Sequence, residues 1–349
     1  MSFNTKGIPF RFKGTINVED CITSEDVIKK AKLGWEVGKC DLFGKMPAHI
    51  DKNVENRDAF LYGGELYGKV DSFYATYRKD LNIPLGIVKG KYEPVQNIKA
   101  FDFFDDAIGI DKAMWQTAGF FGNGERIFVT AKLPDTILVN GDPVDNYLVF
   151  TNSHDGSSGV KILFTPIRVV CENTLTAAIA TTTNFVSFRH TKNVHSKIDI
   201  AKEILGICKQ KSENINEYYN VLAKTKMSDD EYKEYLCNNI LTDTEYQNLI
   251  NSGHTIGELI NRNWRAIEAS GISMRKVNIM SSTFEYYFTG PGQKEFVGTA
   301  WGAVNSITGY YSNIDNVEGA KRMDSILFGD KSRKIINAFD TAIKFSRAA

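Results

Sequence analysis

The sequence is short of the residues that most small-molecule catalysts rely on. Five histidines and five cysteines are spread over 349 residues. No cysteine pair stands as C-x-x-C, which excludes a zinc ribbon and a thioredoxin-type site. Cys21, Cys40, Cys171, Cys208 and Cys237 read as buried reduced thiols instead. No stretch of about 18 apolar residues occurs, so no membrane span is expected. The opening MSFNTKGIPFRFKG has no signal-peptide core, and the chain reads as cytoplasmic. Net charge is missing as well: 42 basic side chains meet 42 acidic ones. That balance removes any whole-molecule attraction to a polyanion or an anionic membrane. With 42% apolar residues the chain is not of the disordered class. At this length folding buries roughly 75% of the unfolded surface, so no disulfide or metal staple is needed.

A complete phosphate loop is also lacking. Residues 63–69, GGELYGK, satisfy G-x-x-x-x-G-K, but Val70 stands where magnesium requires a hydroxyl. The segment reads as a glycine-rich turn. GFFGNG at 119–124 precedes a strand rather than a helix and reads as a hairpin connection. Asp102, Asp105 and Asp106 fall within about one helical turn, and such acids near a helix start ordinarily face solvent. No metal or cofactor is expected.

What the sequence has is a clear β region. RIFVTAKL, TILVN, NYLVFTN and GVKILFTPIRVV, within 126–170, are β-branched and aromatic. Asn140-Gly141-Asp142-Pro143 and His154–Gly159 separate them as turns. NFVSFRH adds a strand, extending an antiparallel meander over 126–190. Earlier, Ser24 reads as the cap of EDVIKKAKL, LGIVKGK as a short strand ending before Pro94, and IKAFDFFDDAIGI as a helix. Asn173 or Thr174 reads as the cap of a helix from Leu175. Beyond about 196 helices dominate: Ser228–Glu231 and Thr242–Glu245 fit capping boxes. TIGELINRNWRAIEAS, EFVGTAWGAVNSITGYY and SRKIINAFDTAIKFSRA complete this half. The expected fold is α+β: an antiparallel β meander with packed helices, then a helix-rich C-terminal half. Residues 1–196 form the mixed core and 197–349 the helical region, with their division into one or two domains left open.

The neutral total hides segregation. Residues 185–197 carry Arg189, Lys192, Lys197, His190 and His195 with Phe185 and Phe188, and no acid. Residues 321–349 hold seven basic side chains, Lys331, Arg333 and Lys334 among them, against three acids. Residues 226–245 reverse this with six acids against two lysines. Basic side chains interleaved with aromatics suit a phosphate backbone with stacked bases. His154-Asp155 has the look of half a metal-hydrolase pair, although a turn explains it. Cys171, between a strand and a helix start, stands where amides lower a thiol pKa.

Several segments together resemble the phage/plasmid-like protein family, a domain of unknown function common in phages, plasmids and prophages. They are LGIVKGKYEPVQNIKAFDFFDD (85–106), WQTAGFFGNGERIFVTAKLP (115–134) and YLVFTNSHDGSSGVKILFTPIRVVCENTLTAAI (147–179), extended by FRHTKNV (188–194) and GTAWGAVNSIT (298–308). Meander followed by helix is also similar to the core of single-strand annealing proteins, a fold-level analogy. The resemblance implies a role in mobile-element DNA metabolism inside a host bacterial cell. It supplies no catalytic residue.

Three functions stay open. The first is non-enzymatic binding and annealing of single-stranded DNA by a homo-oligomer, using Arg168, Phe188, Arg189, His190, Lys192, Lys197, Lys331, Arg333 and Lys334. The second is a phage structural or anti-defence protein that binds a phage or host protein. The third is a nucleic-acid- or nucleotide-processing enzyme using His154, Asp155, Arg168 and Cys171. Asn173, Thr191 and Asn193 are motif positions of unassigned role.

Overall fold

A computed structural model of the chain describes residues 15–47, 58–101, 114–168, 173–174, 185–191, 215–315 and 319–348. The architecture is α+β, with antiparallel sheets mostly in the N-terminal half and helices beyond. The strands are β1 (Ile16–Asn17), β2 (Val37–Lys45), β3 (Ala59–Tyr62), β4 (Glu65–Arg78), β5 (Ile83–Lys89), β6 (Met114–Phe121), β7 (Arg126–Val139), β8 (Asp142–Ser153), β9 (Val160–Arg168), β10 (Asn173–Thr174) and β11 (Phe185–Phe188). The larger sheet runs β1-β6-β7-β8-β9-β10, with β11 also on β9. It is the expected meander, with RIFVTAKL and TILVN fused into one strand through a bulge between Lys132 and Thr136.

Alternation along β7 and β9 splits the side chains between two apolar clusters. Ile127, Val129, Ile162 and Phe164 enter the main core. Phe128, Val149 and Leu163 face the other way and meet Ile326 and Leu327. A strand covered on both faces reads as a continuous apolar run, which is why this region was so legible.

The helices are α1 (Ser24–Lys30), α2 (Asp229–Ile240), α3 (Asp243–Asn251), α4 (Ile256–Ile260), α5 (Trp264–Ser270), α6 (Met274–Thr289), α7 (Ala300–Gly309), α8 (Gly319–Leu327) and α9 (Asp330–Ala348). Residues 215–224 are helical too. Both expected capping boxes form, Ser228 with Glu231 and Thr242 with Glu245. The main core passes without interruption from Trp35, Val129 and Phe150 to Tyr235, Trp301 and Phe339 of the helices. The Trp301 indole N–H donates to Asp142 Oδ2 at 3.1 Å, tying α7 to the β7–β8 turn.

Local readings differ from this structure in four places. Thr23, not Ser24, caps α1: its hydroxyl accepts from the Asp26 N–H at 3.2 Å, and Asp26 Oδ2 accepts the Thr23 N–H at 3.1 Å. TIGELINRNWRAIEAS is two helices, because Arg262 takes φ 58° and Asn263 then caps α5 through the Arg265 N–H at 3.0 Å. Asn173 and Thr174 pair with β9 instead of capping a helix. Cys40 is exposed and Cys21 half-buried; of the described cysteines only Cys237 is buried, its thiol pushed up to about 12 by desolvation. Cys171, Cys208 and the Asp102–Asp106 cluster lie outside the described residues.

A second sheet, order β2-β4-β3 with β5 also on β4, went unread. Its strands alternate aromatics with Lys, Asp and Gly, and they bury little. GGELYGK is indeed a turn: Gly63 and Gly64 take φ 58° and 78° between β3 and β4, the doubly positive geometry of a tight hairpin.

Candidate functional site

The β8–β9 loop is where the two sheets meet. A Cβ on Gly86 of β5 would stand 2.5 Å from Asp155 Cα, so only glycine admits the loop this closely. Thr76 Oγ1 donates to the His154 carbonyl at 2.6 Å, and the Tyr92 hydroxyl to the Ser153 carbonyl at 2.8 Å. The two loop residues singled out by sequence then turn opposite ways. His154 points inward and is fully buried. Its Nε2 lies 2.9 Å from Asn97 Oδ1, and its ring meets Trp35 edge-on at 5.2 Å. Burial pushes it down to about 3, with His190 nearby adding to the shift. Asp155 turns to the serines, accepting from Ser153 Oγ at 2.5 Å and the Ser157 N–H at 2.9 Å. Burial raises this carboxyl, but the bonds from Ser153 and Ser157, with Arg126, hold it below its ordinary value.

Asp155 thereby fixes Ser157 at the rim of a cleft of about 410 Å³. Arg126, Ser157, Ser158 and Lys161 line one wall; Lys321, Asp324 and Phe328 from α8 with Asp330 and Arg333 from α9 line the other. The Arg126 guanidinium donates to Ser157 Oγ from Nη2 at 2.8 Å and to the Asp324 carboxylate from Nη1. The Lys161 ammonium sits 4.4 Å from the centre of the Phe328 ring. Desolvation, then repulsion from Arg126, lowers its pKa. Arg333 pairs with Asp330, both well exposed, an arrangement of small energetic weight. Four cations therefore face two carboxylates, and Lys161 and Lys321 have no ion pair among the described residues.

Strand register extends this rim. Ser187 of β11 stands opposite Lys161. Arg189, two residues on and exposed, returns to the same side. Arg126 stands opposite Ser153 at the matching end of β7 and β8. Arg126 and Arg189 are thus three strand spacings apart, roughly 14 Å.

Of the residues named from sequence, Arg189 and Arg333 reach this rim. Lys334 is exposed, with its ammonium 5.3 Å from the Tyr311 ring centre. Three others are held inside. Phe188 is 8% exposed within the main core, which leaves no ring face for a base. His190 is 5% exposed, stacked on Tyr92 at 4.6 Å and pushed down to about 4 by burial. Lys331 is buried and paired with Asp315 at 3.0 Å. Thr191 is half-buried. Arg168 and Asn173 pair across β9 and β10. Eight residues of strand from Val160 to Arg168 put Arg168 about 26 Å from the His154 end of β9, so the two are not brought together. Cys171, Lys192, Asn193 and Lys197 lie outside the described residues. Sequence reading missed Arg126, Lys161, Ser157 and Ser158; the signal was the meander register, which sets Arg126 and Lys161 on one face.

Residues 84–336 match the family described as Domain of unknown function (DUF932). The chain belongs to that family. The match includes every residue lining the cleft. No curated protein and no solved structure matches this DUF932 chain. Among its described residues no helix is long and apolar enough to cross a membrane, and no group of three or more His, Cys, Asp or Glu could hold a metal ion.

Proposed function

We propose that this DUF932 protein binds single-stranded DNA along the rim formed by Arg126, Lys161, Arg189, Lys321 and Arg333, and promotes annealing of complementary strands in mobile-element DNA metabolism. The observation that carries the reading is convergence. A chain of zero net charge brings basic side chains from β7, β9, the residue after β11, α8 and α9 to one rim. Ser157 and Ser158 add hydroxyl donors suited to phosphate oxygens. A cleft of about 410 Å³ suits one phosphodiester strand rather than a duplex. Phosphates would take up Lys161 and Lys321 first and then compete with Asp324 for Arg126. One copy reaches only a few phosphates, so continuous coverage needs copies side by side. No nucleotide hydrolysis is invoked. His154 adds nothing to an enzymatic reading, since it is buried on Asn97 and far from Arg168.

Gel-shift at about 50 mM salt, where phosphate contacts are strong, tests this. A labelled single strand should be retarded at micromolar protein or below, and complementary strands should pair faster with protein than without. Absence of any shift ends the proposal.

A further inference from the structure

The second sheet carries a surface that the nucleic-acid reading does not use. We propose that the outer edge of β3, with the aromatic face beside it, joins the same edge of a second copy of this chain. β3 pairs with β4 through Ala59↔Gly68 to Tyr62↔Glu65, and its other edge has no strand partner among the described residues. An unpaired edge is a ready template for another chain, and natural edges are ordinarily protected by charge, proline or a covering element. This one carries Ala59, Phe60, Leu61 and Tyr62, with Phe60 45%, Leu61 59% and Tyr62 73% exposed.

Register defines the adjoining face. Lys45, Tyr67 and Phe60 stand in one row across β2, β4 and β3, and Phe43 and Lys69 in the next. Phe43 and Phe60 are 5.0 Å apart, Phe60 and Tyr67 5.5 Å, Tyr62 and Tyr67 6.5 Å. The lysines bring no net charge, because Lys45 pairs with Glu65 at 3.2 Å and Lys69 with Asp41 at 3.1 Å. A neutral face gives a polyanion nothing to bind, whereas it accepts its own copy without repulsion. That selects the occupant.

The two-fold geometry is explicit. Antiparallel pairing of β3 with its copy about Leu61 sets Leu61 opposite the partner's Leu61 and Phe60 opposite the partner's Tyr62. Opposed residues share a face, so the aromatic rows continue from one sheet into the other. Aromatic cross-strand pairs are among the more stabilising ones, and an interface of this kind is isologous.

Light scattering on the full chain should give twice the 39.1 kDa chain mass at micromolar concentration. The double variant Phe60→Lys/Tyr62→Lys, which sets like charges across the two-fold, should give a single chain mass with an unchanged circular dichroism spectrum. Leu61→Cys should form a disulfide dimer on mild oxidation, because directly opposed Cβ atoms fall within disulfide reach. A wild-type monomer without Leu61→Cys cross-linking overturns the proposal, and so does a dimer that survives both lysines. Each readout is made without DNA, so its failure leaves the annealing proposal where it stood.

Discussion

Reversing Lys161, Lys321 and Arg333 together to glutamate lowers affinity for single-stranded DNA about a hundredfold or more at 50 mM salt. Each exposed phosphate contact is worth about 1 kcal/mol at the dielectric of water, so losing three costs about 3 kcal/mol. That alone is roughly a hundredfold, and three added carboxylates repel the strand further. None of the three residues is in the main core, so the thermal midpoint should stay close to that of the parent. Lys233→Glu, on α2 and paired with Asp230, is the control, and its affinity should change little. Fluorescence anisotropy with a labelled oligonucleotide measures both. Equal loss in the triple variant and the control would assign the binding to overall charge instead of to this rim.

Acidification from pH 7 to pH 5 weakens the fold by about 4 kcal/mol, read from urea midpoints at each pH. His154 and His190 are buried beside Trp35, Asn97 and Tyr92, pushed down to about 3 and about 4. In the unfolded chain both titrate near 6.5. Below 6.5 the unfolded state therefore takes up protons that the folded state refuses, and stability falls as pH falls. The contribution is complete above pH 6.5, and the loss continues down to the folded values. Over this interval each ring accounts for about 2 kcal/mol. Asp155, held below its ordinary value, has the same sign but acts only below about pH 4. His190→Phe should remove about half of the slope, since the ring stacked on Tyr92 is kept and its titration is not. A midpoint unchanged between pH 7 and pH 5 contradicts the buried, neutral pair.

The meander was legible because β8 and β9 are covered on both faces and punctuated by Asn140-Gly141 and His154–Gly159. Capping boxes at Ser228 and Thr242 were equally plain, since their hydroxyl and carboxylate act within four residues. The β2–β5 sheet was not, because its strands face water and lack a continuous apolar stripe. At the site, charge counting found Arg189 and Arg333 but could not separate exposed cations from buried ones. Lys331 and His190 belong to the same basic segments, yet one satisfies Asp315 and the other packs on Tyr92. Arg126 and Lys161 were hidden for the opposite reason: neither lies in a basic segment, and only strand register unites them.

The measurement that bears most directly on the central claim is the salt dependence of single-strand binding by the unaltered chain. Four or five phosphate contacts predict that log affinity falls with log salt at a slope of about −3. Binding that is absent at low salt, or that stays level as salt rises, would contradict a phosphate-binding rim on this neutral protein.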